Sequence, residues 1–223
     1  MKSLLSSLKI SVPDKIFLKD PETSVLGKKI IEHSILLIDE IGFENFTFKK
    51  LGAKIGSNES SVYRYFESKH KLLLYLSSWY WAWLEYLLVI ETYSISDKIE
   101  KLEKAIYIVT RKVTLDSNYS HINEAILYKI IVNESSKSFL TKKVDTENKE
   151  GYFEVYKRII VRLERIILEI KPSYEYALSL ASSILEGGLR QHFLNEHFPS
   201  ITNYTKEQTP THFFTQLVKN TIL

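Results

Sequence analysis

Cysteine is absent from the 223 residues, which removes disulfides, thiolate metal sites and cysteine nucleophiles and fits a reducing compartment. Glycine and proline are scarce, at seven and five. Sheet proteins spend both on turns, so this scarcity, with abundant Leu, Ile, Lys and Glu, argues for an all-α chain. Catalytic signatures are missing as well: there is no GxGxxG, Walker lysine loop, GxSxG or HExxH, and the chain reads as a non-enzyme without a cofactor. His121 with Glu124, and His192 with Glu196, share helix faces. With no further His or Cys at ligand spacing, each pair reads as a surface hydrogen bond, and no metal is expected.

Long apolar runs are rare, and the exception is Leu72 to Ile90, LLLYLSSWYWAWLEYLLVI. It has the length of a membrane helix. Ser77, Ser78 and Glu85 lie at depth, however, and Trp79, Trp81 and Trp83 crowd the middle rather than the ends, so no membrane span is expected. At the N-terminus Leu4, Leu5 and Leu8 are separated by serine and lysine with no cleavage site after them. A secretory signal is therefore not expected, and a cytoplasmic location is.

What is present is a 44% hydrophobic chain, enough for a core, with a net charge of only +3. The charge is unevenly placed. Between Thr47 and Lys71 the cations Lys49, Lys50, Lys54, Arg64, Lys69 and Lys71 face only Glu59 and Glu67, a local balance of +4 that leaves the remainder close to neutral. Contact with a polyanion needs such a concentration; a solvated basic face is the plainer alternative.

The same stretch, TFKKLGAKIGSNESSVYRYFESKHK, has the order of a helix-turn-helix. Thr47 caps a first helix whose short apolar face is Phe48, Leu51, Ala53 and Ile55. Gly56 ends it where the chain must turn with positive φ. Asn58 then caps a second helix, Glu59 to Phe66, which buries Val62 and Phe66 and leaves Ser60, Ser61, Tyr63, Arg64 and Tyr65 to face elsewhere. Ser68 caps the next helix and puts Lys69 in its first turn, where a helix dipole disfavours a cation unless an anion arrives.

Thr47, Leu51, Gly56, Tyr63, Phe66, Lys69 and Leu72 resemble, in type and spacing, the DNA-binding domain of TetR/AcrR-family transcriptional regulators, with the YxxFxSKxxL run from Tyr63 to Leu72 the most specific part. The resemblance covers roughly residues 24 to 76. It implies an all-α homodimer that binds double-stranded operator DNA, with Thr47, Tyr63, Tyr65 and Lys69 on phosphates and Asn58, Glu59, Ser60, Ser61 and Arg64 near base edges, and Lys49 joins this DNA-binding set without an assigned contact. Three residues depart from the family pattern: Ser57 replaces a small aliphatic, Gly52 replaces alanine, and Glu59 is acidic at the start of the reading helix. The first two are expected to loosen packing, while Glu59 either accepts from cytosine N4 or favours the helix dipole.

Three divisions follow: an N-terminal extension at 1–23, the helix-turn-helix domain at 24–71, and a helical ligand-binding and dimerisation domain at 72–223. In the extension Ile10, Val12, Ile16 and Leu18 around Pro13-Asp14 predict a hairpin or extended arm, with Lys2, Lys9, Lys15 and Lys19 in reach of DNA, or a flap packed on the protein itself. Ser24 to Ile41 is a periodic helix stopped by Gly42.

Beyond it, Leu72, Leu76, Trp79, Trp83, Tyr86 and Ile90 form a seam that is core or the wall of a pocket, and Trp79, Trp83, Tyr86, Tyr107 and Tyr128 are the candidate lining for an apolar or aromatic ligand. Further helices are expected over Ser96 to Val113, His121 to Leu140, Tyr152 to Ile170 and, capped by Ser173, Tyr174 to Phe198, with a loop or frayed end at Thr141 to Gly151. Ala181, Ile184, Gly187 and Gly188, with Phe213, Phe214 and Leu217 of the last helix, are the candidate dimer seam; the alternative is that the two glycines end a helix. The reading is a DNA-binding transcriptional repressor whose affinity a small molecule adjusts. Its alternative is a helical hydrophobe-binding protein with an architectural helix-turn-helix.

Overall fold

A computed structural model describes residues 10–114 and 121–223, and Lys2, Leu4, Leu5, Leu8 and Lys9 of the sequence reading lie outside them. All regular structure among the described residues is helical: α1 Val25–Asn45, α2 Phe48–Lys54, α3 Glu59–Tyr63, α4 Lys69–Thr92, α5 Lys98–Thr110, α6 Glu124–Glu134, α7 Ser136–Phe139, α8 Val144–Lys149, α9 Glu154–Ile170, α10 Ala177–His197 and α11 Pro210–Ile222. Packing gathers them into two units. The first draws on the described residues of Met1–Ala82 and Val113–Phe153, the second on Trp83–Lys112 and Glu154–Leu223.

In the first unit Ser24 caps α1 by accepting from the Gly27 amide, and Ile30, Ile31, Ile35, Leu37 and Ile38 are buried. Gly42 breaks the helix at φ 74°, a left-handed conformation that other residues rarely adopt. Of the alternatives for the N-terminal extension, the hairpin is not formed among the described residues. Residues 10–23 bury Ile10, Val12, Ile16 and Pro21 and carry two 3-10 turns, Asp14–Ile16 and Pro21–Thr23, because Pro13 and Pro21 fix turn dihedrals and withdraw ladder donors. The segment packs on its own unit, as the alternative of a strand-like flap supposes, but in 3-10 turns rather than as a strand.

Helix α4 is not a single seam. Leu72 through Trp81 are buried without interruption, then Trp83, Leu84, Glu85 and Leu88, while Tyr86 is half-buried and Ile90 is exposed. It is long and apolar enough to cross a membrane by length and composition, and 72% of its 18-residue apolar window is buried inside the protein, the pattern of a core helix.

Boundaries shift elsewhere for local reasons. Asp97 and Asn123 cap α5 and α6 through their side chains, starting each helix later than its apolar period suggests. Helix α8 forms inside the stretch expected as a loop or frayed end. Ser173 caps nothing; α10 begins at Ala177 without a side-chain cap. In the second unit α9 and α10 pack together, and α5 lies against α9, α10 and α11.

Candidate nucleic-acid interface

The turn between α2 and α3 closes through two bonds, from the Ser57 amide to the Gly52 carbonyl at 2.8 Å and from the Gly56 amide to the Ala53 carbonyl at 3.3 Å. Together with Gly56 at φ 70° this is a Schellman closure. Asn58 caps α3 by accepting from the Ser61 amide at 2.9 Å and the Ser61 hydroxyl at 3.0 Å. Thr47 caps α2, accepting from the Lys50 amide at 3.2 Å. Phe46, Phe48, Leu51, Val62 and Phe66 form the core beneath. Ala53 is exposed and Gly52 is buried in its stead. A Cβ at Gly52 would lie 2.9 Å from the Asn58 carbonyl carbon, so glycine here permits close approach rather than loosening the packing.

Helix α3 is shorter than expected, ending at Tyr63, and that shortening decides which side chains face outward. Tyr63 is 49% exposed, its ring edge-on to Phe48 at 4.9 Å. Lys49, Glu59, Ser60 and Arg64 are exposed, and no side-chain partner holds any of them among the described residues. Ser61 is half-buried and its hydroxyl is engaged in the cap.

Tyr65 is corrected from a phosphate contact to a core residue. It is 1% exposed, its hydroxyl bonds Ser24 Oγ at 2.8 Å, and its carbonyl accepts from the Leu18 amide, because residues 17–24 pass over it. Lys69 is corrected as well. Its ammonium donates to the carbonyls of Phe43 and Glu44 at 3.1 and 3.0 Å, so the cation escapes its own helix N-terminus by capping the end of α1. Of the remaining basic excess, Lys54 pairs with Glu40, Lys50 donates to Asn45 O, and Lys71 is held by Tyr152. Lys49 and Arg64 are the exposed cations of this element that no side-chain hydrogen bond or ion pair holds among the described residues.

The family profile described as "Bacterial regulatory proteins, tetR family" matches residues 30–76. That segment is TetR-like in sequence. The TetR-type segment thus runs from α1 through the reading helix into the start of α4. No curated protein matches the chain by sequence. Among solved structures, the superantigen PfiT resembles it with a TM-score of 0.59 at 18% identity, over 91% of this chain and 97% of that one. AibR in complex with isovaleryl coenzyme A and operator DNA resembles it with a TM-score of 0.53 at 16% identity, over 84% and 95%. These two likenesses concern the fold alone, and they reach beyond the matched segment.

Outside that segment the candidate ligand residues line neither of two clefts found among the described residues. Trp79, Trp83 and Tyr128 are buried by packing, Tyr86 is half-buried, and Tyr107 lies on the surface with Lys104 and Arg111 over its ring. Two clefts of the second unit, about 510 Å³ and about 240 Å³, contain none of the five in their walls.

The candidate dimer seam is largely internal. Ala181, Ile184, Gly188 and Phe214 are buried in their own unit; a Cβ at Gly187 would run into the Phe214 ring, and one at Gly188 would meet Thr110 at 3.0 Å. The glycines lie within α10 and do not end it. Phe213 and Leu217 remain outward, 53% and 40% exposed. The two histidine pairs also dissolve: His121 bonds Glu22 at 2.8 Å, and His192 is buried against the Thr110 carbonyl. The larger cleft escaped the sequence reading, whose only pointer was the run of carboxamides Asn203, Gln208 and Gln216.

Proposed function

We propose that the protein is a transcriptional repressor that binds a nearly palindromic operator as a homodimer and loses affinity when a small molecule binds. The observation that carries this reading is that Lys49, Ser60, Tyr63 and Arg64 stand exposed on and beside a helix whose sequence matches the TetR family. Lys49 and Tyr63 meet phosphates, Thr47 adds a hydroxyl beside them, and Ser60, Glu59 and Arg64 reach base edges. Asn58 and Ser61 hold the reading helix in shape. Two heads would enter successive major grooves about 34 to 36 Å apart, or a multiple of that.

Phe213 and Leu217, four residues apart on one face of α11, are the apolar surface offered to a second copy. AibR, in complex with both operator DNA and isovaleryl coenzyme A, supports a ligand-responsive regulator on this fold. A ligand moves the equilibrium only as far as its affinities for the DNA-competent and DNA-incompetent arrangements differ.

Selection of bound fragments from random duplex DNA tests the proposal. A recovered inverted repeat, bound with a steep salt dependence, is the expected result. Retention without sequence preference or salt sensitivity would reduce the helix-turn-helix to architecture and favour a hydrophobe-binding protein.

A further inference from the structure

The cleft of about 510 Å³ lies between the end of α10, the segment 201–209 and the start of α11, within the second unit. Its volume is that of an ordinary small-molecule site. Its walls are fixed by internal bonds. Thr202 Oγ1 donates to Gln191 Oε1 at 2.7 Å, the Tyr204 amide donates back to Thr202 Oγ1 at 3.3 Å, and the Tyr204 ring sits edge-on to buried His192 at 5.4 Å. The Thr205 amide bonds the Gln208 carbonyl at 3.2 Å, and Thr209 caps α11.

The chemistry of the lining is unusual for a chain so rich in charge. No Asp, Glu, Lys or Arg contributes to it. In their place stand the carboxamides of Asn203, Gln208 and Gln216, which have no intramolecular partner among the described residues, beside the half-exposed ring of Phe213. A carboxamide offers a donor and an acceptor side by side, the pairing that reads an adenine edge or two adjacent hydroxyls. An aromatic face adds stacking without sequence or charge preference. Phosphates and carboxylates, by contrast, are held most strongly by guanidinium or ammonium groups, which this lining lacks; the imidazole of His212 and the first turn of α11 are all it offers an anion.

We propose that the cleft binds a neutral ring compound dense in hydrogen-bonding groups, of the kind a nucleoside or a small sugar supplies, in preference to its phosphorylated form. Asn203, Gln208 and Gln216 read the ligand and Phe213 stacks on it. Because Phe213 is also part of the surface offered to a second copy, occupancy would bear on association; that consequence, unlike the binding itself, rests on the regulator reading.

Calorimetric titration of the whole protein tests the site without DNA, so its failure is separate from failure of operator binding. One arm uses adenosine and uridine, a second uses glucose and maltose, and a third uses adenosine monophosphate. Saturable binding in the first or second arm, unchanged between low and high salt and weakened about tenfold by Gln208→Ala or Gln216→Ala, is expected; that is the loss of about one or two hydrogen bonds. Gln208 and Gln216 are exposed, so both variants fold, which circular dichroism checks. Saturation by nucleosides alone or by sugars alone assigns the class. Absence of saturable heat in both neutral arms, tighter binding of the monophosphate, or full affinity in both variants overturns the proposal.

Discussion

His192 donates its Nε2 proton to the carbonyl oxygen of Thr110 across 2.7 Å, joining α10 to the last residue of α5. A carbonyl only accepts, so the imidazole is the Nε2–H tautomer. Gly188, one turn back, lets the helices approach closely enough for this bond. Burial holds the His192 pKa below its usual 6.5, against the Thr110 bond, which raises it, and with Lys112 adding a small further depression. On unfolding the ring regains the usual value. The stability tied to its neutral form is therefore present above about 6.5 and lost as pH falls through that value toward the folded one, at up to about 1.4 kcal/mol per pH unit. His192→Gln keeps a donor without a titrating group. Denaturation midpoints from about pH 7.5 to about pH 5.5 should fall less steeply in the variant than in the parent; parallel curves would show that His192 is not the group involved.

Gly52 carries a second expectation. Alanine is the better helix former by about 0.5 to 1 kcal/mol. Here its methyl would meet the Asn58 carbonyl carbon at 2.9 Å and the Glu59 nitrogen at 3.0 Å, main-chain atoms that cannot rotate away. Crowding of that kind costs about 1 to 3 kcal/mol. Gly52→Ala should lower stability by roughly 1 kcal/mol net, read as a reduced urea midpoint at constant slope. A raised midpoint would mean that the turn has slack.

Lys69 separates a structural role from a phosphate contact. Its ammonium holds the Phe43 and Glu44 carbonyls and lies over the Phe43 ring at 4.8 Å. Lys69→Met retains the aliphatic stem and removes those bonds, so stability should drop by about 1 kcal/mol. The salt slope of DNA binding should stay as it is. If Lys69 met a phosphate instead, as the resemblance implies, the slope would fall by about 0.9 with stability untouched.

The helix-turn-helix was legible in the sequence because each cue is local: Thr47 and Asn58 cap, Gly56 turns, and Val62 and Phe66 point inward four residues apart. The fates of Tyr65 and Lys69 were not legible. Both are decided by chain far away in sequence, Ser24 and Leu18 for the tyrosine and the end of α1 for the lysine. The same limit applies to Gly187 and Gly188. Their composition announces a close approach, but only the fold reveals that Phe214 and Thr110 of the same chain take the space. The run of aromatics in α4 gave no sign of whether it wraps a cavity, since apolar periodicity is the same for a packed core and a pocket wall.

The exposed set on the reading head divides by chemistry, and that division can be measured. Tyr63→Phe preserves the ring contact with Phe48 and removes only a hydroxyl, so an equal loss on every operator variant, of about threefold to tenfold, identifies a phosphate contact. Lys49→Ala should likewise weaken all sequences alike and reduce the salt slope by about 0.9, since no intramolecular ion pair competes for it among the described residues. Arg64 follows α3 directly as its C-cap, where a guanidinium can reach guanine O6 and N7. Arg64→Ala should cost about 1 to 3 kcal/mol and relax preference at one base pair while leaving the others unchanged. A uniform loss across all positions, with the slope falling as for Lys49→Ala, would instead make Arg64 a second phosphate clamp and leave Ser60 and Glu59 to carry the sequence reading.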